Sequence, residues 1–147
     1  MEQQTIQALN EVLKGEQMAI QSYSQFIREV KNPEIKETFK EIQNDHNRHM
    51  EKISQRILDL GGRPSYGTGL AGLMADAKHG IESMKERKDH EIVREAFEGE
   101  DKGVTAVEKL SQGKLDDESM KLIHSLMDTD HQHIKTLEKL IQKKELQ

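Results

Sequence analysis

Leu13-Lys14-Gly15-Glu16-Gln17-Met18-Ala19-Ile20-Gln21-Ser22-Tyr23 is the stretch whose reading decides the fold. Leu13, Ile20 and Tyr23 belong to a longer apolar row with Leu9, Ile27 and Val30, and the steps are all three or four residues once Glu16 is counted in. Such a row is one face of a helix turned toward a core, and it predicts a helix over about 5–30. Glu16 is the one member of the row that is not apolar. A carboxylate on that face would cost several kcal/mol to bury alone, so its position calls for a partner.

The same construction recurs along the chain. Asn32 and Pro33 supply an N-cap and a first helical position, and Ile35, Phe39, Ile42, Ile53, Ile57 and Leu60 outline a second helix over about 33–60. Its row is broken by His46 and His49, and it stops at Gly61-Gly62 with Pro64 just beyond. Val93, Ala96, Phe97, Val104, Val107 and Leu110 mark a third helix over about 90–111, broken by Glu100 and ended by Gln112-Gly113-Lys114-Leu115. A fourth helix over about 117–142, capped by Asp116 or Asp117, carries Ile123, Leu126, Leu137 and Leu140, broken by Asp130 and His133. Between the second and third helices, about 61–89 reads as a long crossover with a short helix around Leu70 to Met84. Gly67-Thr68-Gly69 within it lacks the preceding strand and surrounding motif of a phosphate loop, so it reads as plain connection. Lys85-Glu86-Arg87-Lys88-Asp89 reads as a solvated turn.

The two halves of the chain repeat. Glu16 precedes His46 by 30 residues and His49 by 33, and Glu100 precedes Asp130 and His133 by the same intervals. One offset of 84 residues relates these positions, and it also carries Gly15 onto Gly99, Leu13 onto Phe97, Ile20 onto Val104, Ile42 onto Leu126 and Asn32 onto Asp116. Duplication of one helical hairpin is the simplest account. At 1.5 Å per residue, Glu16, His46 and His49 all lie roughly 20–24 Å from the turn that joins their helices, which places the polar residues in one layer. Residues three apart share a helix face, so His46 with His49, and Asp130 with His133, can each offer two ligands to one centre.

Composition narrows the rest. The 147 residues suit one all-α domain, with 3% aromatic residues and two prolines. The net charge is −5 without a basic stripe, which argues against nucleic acid and anionic membranes as partners. There is no cysteine, so a metal site must be built from His and carboxylates. The N-terminus lacks a signal-peptide pattern and no apolar run approaches the roughly 20 residues of a spanning helix, which leads us to expect a cytoplasmic protein. His79, His90, His124 and His131 fall outside the apolar rows and read as surface residues. Met18, Met50, Met120 and Met127 read as core filler.

At Glu16 with Tyr23 seven residues on, and at Asp130-His131-Gln132-His133, the sequence resembles the ferritin-like superfamily, including bacterioferritins and the diiron domain of rubrerythrins. The resemblance covers about 115 of the 147 residues and omits mainly the crossover. It implies an antiparallel four-helix bundle of two hairpins joined by the crossover. It also implies a metal set of Glu16, His46, His49, Glu100, Asp130 and His133, with Tyr23 and Asp45 as supporting groups that orient the ligands. Two departures stand out. His46 occupies the place of the Glu in the second helix's Glu-x-x-His pair, and Asp130 replaces the Glu of the fourth. An imidazole cannot bridge two metals through two oxygens as a carboxylate does, so Asp45 is a substitute if its helix rotates, and the site is left open to two metals, one or none.

The expected function is that of a non-haem protein that binds iron, with manganese or zinc as further options, and reacts it with oxygen or peroxide. A rubrerythrin-type peroxidase is a narrower form that needs an external electron donor. The alternative is a non-enzymatic helical scaffold or interaction module with a degenerate site. A homodimer is the expected assembly.

Overall fold

The computed structural model describes residues 2–66 and 86–143. Four helices make up the described chain: α1 Glu2–Glu29, α2 Pro33–Asp59, α3 Asp89–Ser111 and α4 Asp117–Gln142. The expected short helix near Leu70 to Met84, the Gly67-Thr68-Gly69 segment and His79 lie outside the described residues.

Local chemistry fixes the helix ends. The Asn32 side chain accepts from the backbone N–H groups of Glu34 and Ile35, at 2.8 and 3.2 Å, and opens α2. Asp116 opens α4 in the same way by accepting from the Ser119 N–H. At the end of α2, Gly62 N–H donates to the Ile57 carbonyl and Gly61 N–H to the Leu58 carbonyl, both at 2.9 Å. This double closure requires a left-handed residue at Gly61, whose φ is +82°.

Helix α1 packs against α2 and α3, and α4 completes the square against α2 and α3. The end of α1 lies beside the start of α3, because the Asp89 carboxylate accepts from the N–H groups of Lys31 and Asn32, at 3.0 and 2.9 Å. The end of α2 lies beside the start of α4, where Arg56 reaches Asp116, Glu118 and Ser119. All four neighbouring pairs are therefore antiparallel. The chain must travel the length of the bundle between Leu60 and Asp89, as the long crossover demands. Among the described residues no helix is long and apolar enough to cross a membrane.

The apolar rows meet in two separate clusters. One gathers Tyr23, Phe26, Val30, Ile35, Phe39, Ile42, Ile92, Val93, Ala96, Leu137 and Leu140. The other gathers Leu9, Val12, Leu13, Ile53, Ile57, Ile123 and Leu126. Between them in every helix come the polar positions.

Three side-chain readings are corrected. Met18 is 45% exposed and belongs to the surface of α1, whereas Met50 and Met127 do pack against the second cluster. Ile20 and Ile27 are half-buried, and Gln17 and Phe26 take the interior places, because the true helical period drifts across steps of three and four. Arg87 and Asp89 are not a solvated turn: Arg87 pairs with Glu29 and Glu95, and Asp89 holds the α1–α2 turn. His124 and His131 are exposed, and His90 is half-buried.

Two glycine substitutions should move stability in opposite directions. Gly61→Ala forces an L side chain into a left-handed conformation and should cost about 1–2 kcal/mol. Gly99→Ala adds a methyl group to the interior of α3 with no atom within 4 Å, and should gain about 0.5–1 kcal/mol. Urea unfolding midpoints of the two variants check the pair of signs.

Candidate metal centre

Each helix delivers its polar residues to the same layer because each interrupts a core-facing row. Glu16, His46, His49, Glu100, Asp130 and His133 are all between 4% and 6% exposed. His46 stands at the middle of the layer. Its Nδ1 donates to Glu16 Oε2 at 2.6 Å and its Nε2 to Glu100 Oε1 at 2.7 Å, so one ring ties α1 to α3. His49 Nδ1 donates to the other oxygen of Glu16 at 3.3 Å and lies 3.8 Å from Asp130 Oδ1. His133 Nδ1 lies 3.5 Å from both Glu100 Oε2 and Asp130 Oδ1.

Each pair three residues apart falls within one group of potential ligands, as its spacing suggests: Asp130 with His133, and His46 with His49. Among the described residues, atoms able to hold a metal ion fall into two groups, His46 with Glu100, Asp130 and His133, and Glu16 with His46 and His49. His46 is common to both.

The supporting residues are gathered around the first group. Tyr23 donates its hydroxyl to Glu100 Oε1 at 2.7 Å, and its ring also packs on Phe26, Phe39 and His46, so it serves the core and the layer together. Asp45 Oδ2 accepts from His133 Nε2 at 2.8 Å, and Arg48 pairs with Asp45 from the solvent side. Asp45 thus sits behind His133 and does not replace the missing carboxylate of α2. Such a bond fixes the ring and turns the other nitrogen, Nδ1, inward.

Burial and pairing set the charges. For Glu16 and Glu100, burial works against ionisation, but the imidazoles beside them prevail and hold both carboxyls low, Glu100 at about 2. Burial likewise opposes the charge on His46 and His133, yet the adjoining carboxylates win. They raise His46 well above its ordinary value and His133 to about 10. Asp130 behaves differently, since burial dominates and pushes its carboxyl up. Burial and the Glu100 carboxylate raise Tyr23 well above 10 and keep its hydroxyl a donor. The Glu16 and Glu100 carboxylates and the His46 and His133 rings thus favour one another's charged forms, and Asp130 is the least compensated acid.

Among the described residues, two atoms of the layer, Asp130 Oδ1 and His133 Nδ1, are buried without a hydrogen-bond partner. Their 3.5 Å separation is close to the roughly 3.4 Å between two donors that stand about 2.1 Å from a shared centre at a tetrahedral angle. A mixed oxygen and nitrogen set with an outer carboxylate behind the imidazole fits a divalent transition metal once His133 Nδ1 has given up its proton.

The family described as a domain of unknown function, DUF2383, matches residues 4–113, which span α1 to α3. The chain belongs to this family. The match ends before α4, so it does not include Asp130 or His133. Comparison with curated protein sequences gives no match. The fold of this DUF2383 protein is ferritin-like, as similar solved structures show. Dps from Thermosynechococcus elongatus aligns at a TM-score of 0.78 and 15% identity, covering 96% of this chain and 92% of that one. A ferritin-like, diiron-carboxylate protein from Bacillus anthracis aligns at 0.69 and 21%, covering 95% and 96%. A two-domain protein from Anabaena variabilis, with a DJ-1/ThiJ/PfpI-like and a ferritin-like domain, aligns at 0.78 and 17%; here 96% of this chain corresponds to 36% of that one.

Gln17 was not singled out by the sequence pattern. It is 5% exposed, donates to the Ser65 carbonyl at 3.1 Å and leaves its Oε1 without a partner. Its place beside Glu16 in the row was the available signal.

The shifts define how stability without metal should respond to pH. The His133 contribution is complete below its ordinary value of 6.5 and is lost as pH rises through about 10. The Glu100 contribution is complete above 4.5 and is lost as pH falls through about 2. In chelator, the melting temperature should therefore fall as pH is raised from 7 to 10, and a His133→Gln variant should show a flatter alkaline limb. Thermal melts across that range check both.

Proposed function

We propose that the chain is a non-haem metal protein that binds iron between its helices and passes electrons from Fe(II) to dioxygen or peroxide. The observation that carries this reading is the pair of buried, unpartnered atoms Asp130 Oδ1 and His133 Nδ1, beside the Glu100 carboxylate. Glu100 and Asp130 would supply oxygen ligands and His133 a nitrogen, within a layer completed by Glu16, His46 and His49. Iron is favoured over manganese and zinc by the neighbours described as diiron-carboxylate proteins, since the donor set suits all three. Bound iron would supply a one-electron couple at the centre of the bundle.

The chain's own residues would do the rest. Asp45 holds the His133 ring, Tyr23 holds one oxygen of Glu100, and the apolar clusters on either side limit access of water. His133 carries a proton at neutral pH, so a metal ion must displace it, and binding should release protons. Turnover of peroxide would draw electrons from a donor outside these residues, which include no cysteine for a thiolate-ligated iron.

A ligand that binds only the folded state raises its melting temperature, by an amount that grows with ligand concentration. Anaerobic Fe(II), and Mn(II) as a redox-silent comparison, should raise the melting temperature of the wild-type chain and leave a Glu100→Ala/His133→Ala variant unmoved. Asp45→Asn should weaken affinity by about 10–100-fold with the site intact. Equal response in wild type and the double variant would remove the reading. Consumption of dioxygen or peroxide by the Fe(II)-loaded chain tests the electron transfer separately.

A further inference from the structure

We propose that the layer holds one metal ion and not two, seated on Glu100, Asp130 and His133, and that the His46 ring takes the place of a second ion. The proposal rests on the metal-binding reading above and gives it a count and a location. Three independent features of the layer point the same way.

The first is the engagement of His46. A ring nitrogen coordinates through its lone pair, and both nitrogens of His46 are committed to carboxylates, Nδ1 to Glu16 and Nε2 to Glu100. The ring therefore joins the two carboxylates itself. With His46 engaged in this way, the second group keeps Glu16 and His49, and two residues are one fewer than the three protein ligands that catalytic metal sites ordinarily keep.

The second is where unmet demand lies. Among the described residues, the layer's unpartnered buried atoms are Asp130 Oδ1 and His133 Nδ1, both in the group that contains Glu100. Both oxygens of Glu16, by contrast, have partners in His46 and His49.

The third is where the supporting bonds lie. Tyr23 orients Glu100 and Asp45 orients His133. The positions that the 84-residue repeat would assign to the same duties for Glu16 and His49 are Val107 and Thr129. Val107 has no hydroxyl, and the Thr129 hydroxyl is spent on the Ser125 carbonyl of its own helix. Among the described residues, the repeat-related positions orient Glu100 and His133 and not Glu16 and His49.

The test is a metal count on the full chain loaded with excess Mn(II), by elemental analysis against protein concentration, with anomalous scattering from crystals to locate the ion. The expected result is one ion per chain, contacted by Glu100, Asp130 and His133. His46→Glu removes the ring and restores a carboxylate, and should raise the count from one to two. Two ions in the wild type, or one ion seated on Glu16 and His49, would overturn the proposal and leave the metal-binding reading standing. No ion at all would overturn both. A folded His46→Glu chain that still binds one ion overturns the role assigned to His46. If that variant does not fold, the wild-type count and location decide by themselves.

Discussion

Three carboxylates and three imidazoles share the interior of a small bundle, and their mutual compensation is the constraint to which the other features answer. Removing one partner of such a buried set leaves an uncompensated charge, a loss of about 3–5 kcal/mol. The contacts cross between helices, since Glu16 lies on α1, His46 on α2, Glu100 on α3 and His133 on α4. A slide of any helix by one turn, about 5.4 Å, would part these groups while leaving apolar surface in contact with apolar surface. The hydrocarbon clusters supply most of the attraction between helices, and the polar layer dictates their register.

That division explains the shape of the core. The apolar residues form one cluster toward the α1–α2 turn and another toward the opposite end, with the ionisable groups between. Tyr23 marks the border, with its ring packed on Phe26 and Phe39 and its hydroxyl on Glu100. The ends of the bundle are tied by charge, Asp89 holding the turn after α1 and Arg56 bonding to Asp116 and Ser119 at the start of α4. The Asp89 tie satisfies backbone N–H groups left open between α1 and α2, and the Arg56 tie holds the Asp116 side chain that caps α4.

The bundle and its polar layer were legible because both depend on period. A carboxylate at position 16 of a row that is otherwise apolar announces burial, and the repeat of that row at Glu100 announces a partner. What the sequence did not contain was the choice of partner. Nothing local to His46 says that its two nitrogens are taken by Glu16 and Glu100, residues 30 and 54 positions away. Nor does Tyr23 reveal that its hydroxyl serves the other hairpin, 77 residues on. Asp89 was hidden for the same reason: in a run of charges it looks solvated, and only the folded chain brings it under the open N–H groups of Lys31 and Asn32. Met18 misled in the other direction, because a flexible apolar side chain near a core-facing row fits either side of the boundary.

The repeated hairpin has a consequence for what this interior is able to become. Two identical hairpins meeting as separate molecules would obey a two-fold axis, and every departure on one would appear on the other. His46 opposite His46, or Asp130 opposite Asp130, would be the only choices. Covalent fusion frees the halves from that rule, and the crossover from Leu60 to Asp89 turns a symmetric pair into two sites that mutate independently. Glu16 and Glu100 remain alike, as do His49 and His133, while an imidazole has settled on one side and a short carboxylate on the other. Symmetry breaking of this kind converts a layer with two equivalent halves into one with a ring bonded to two carboxylates in one hairpin and a short carboxylate in the other, a polarity that an assembly of identical hairpins could not encode.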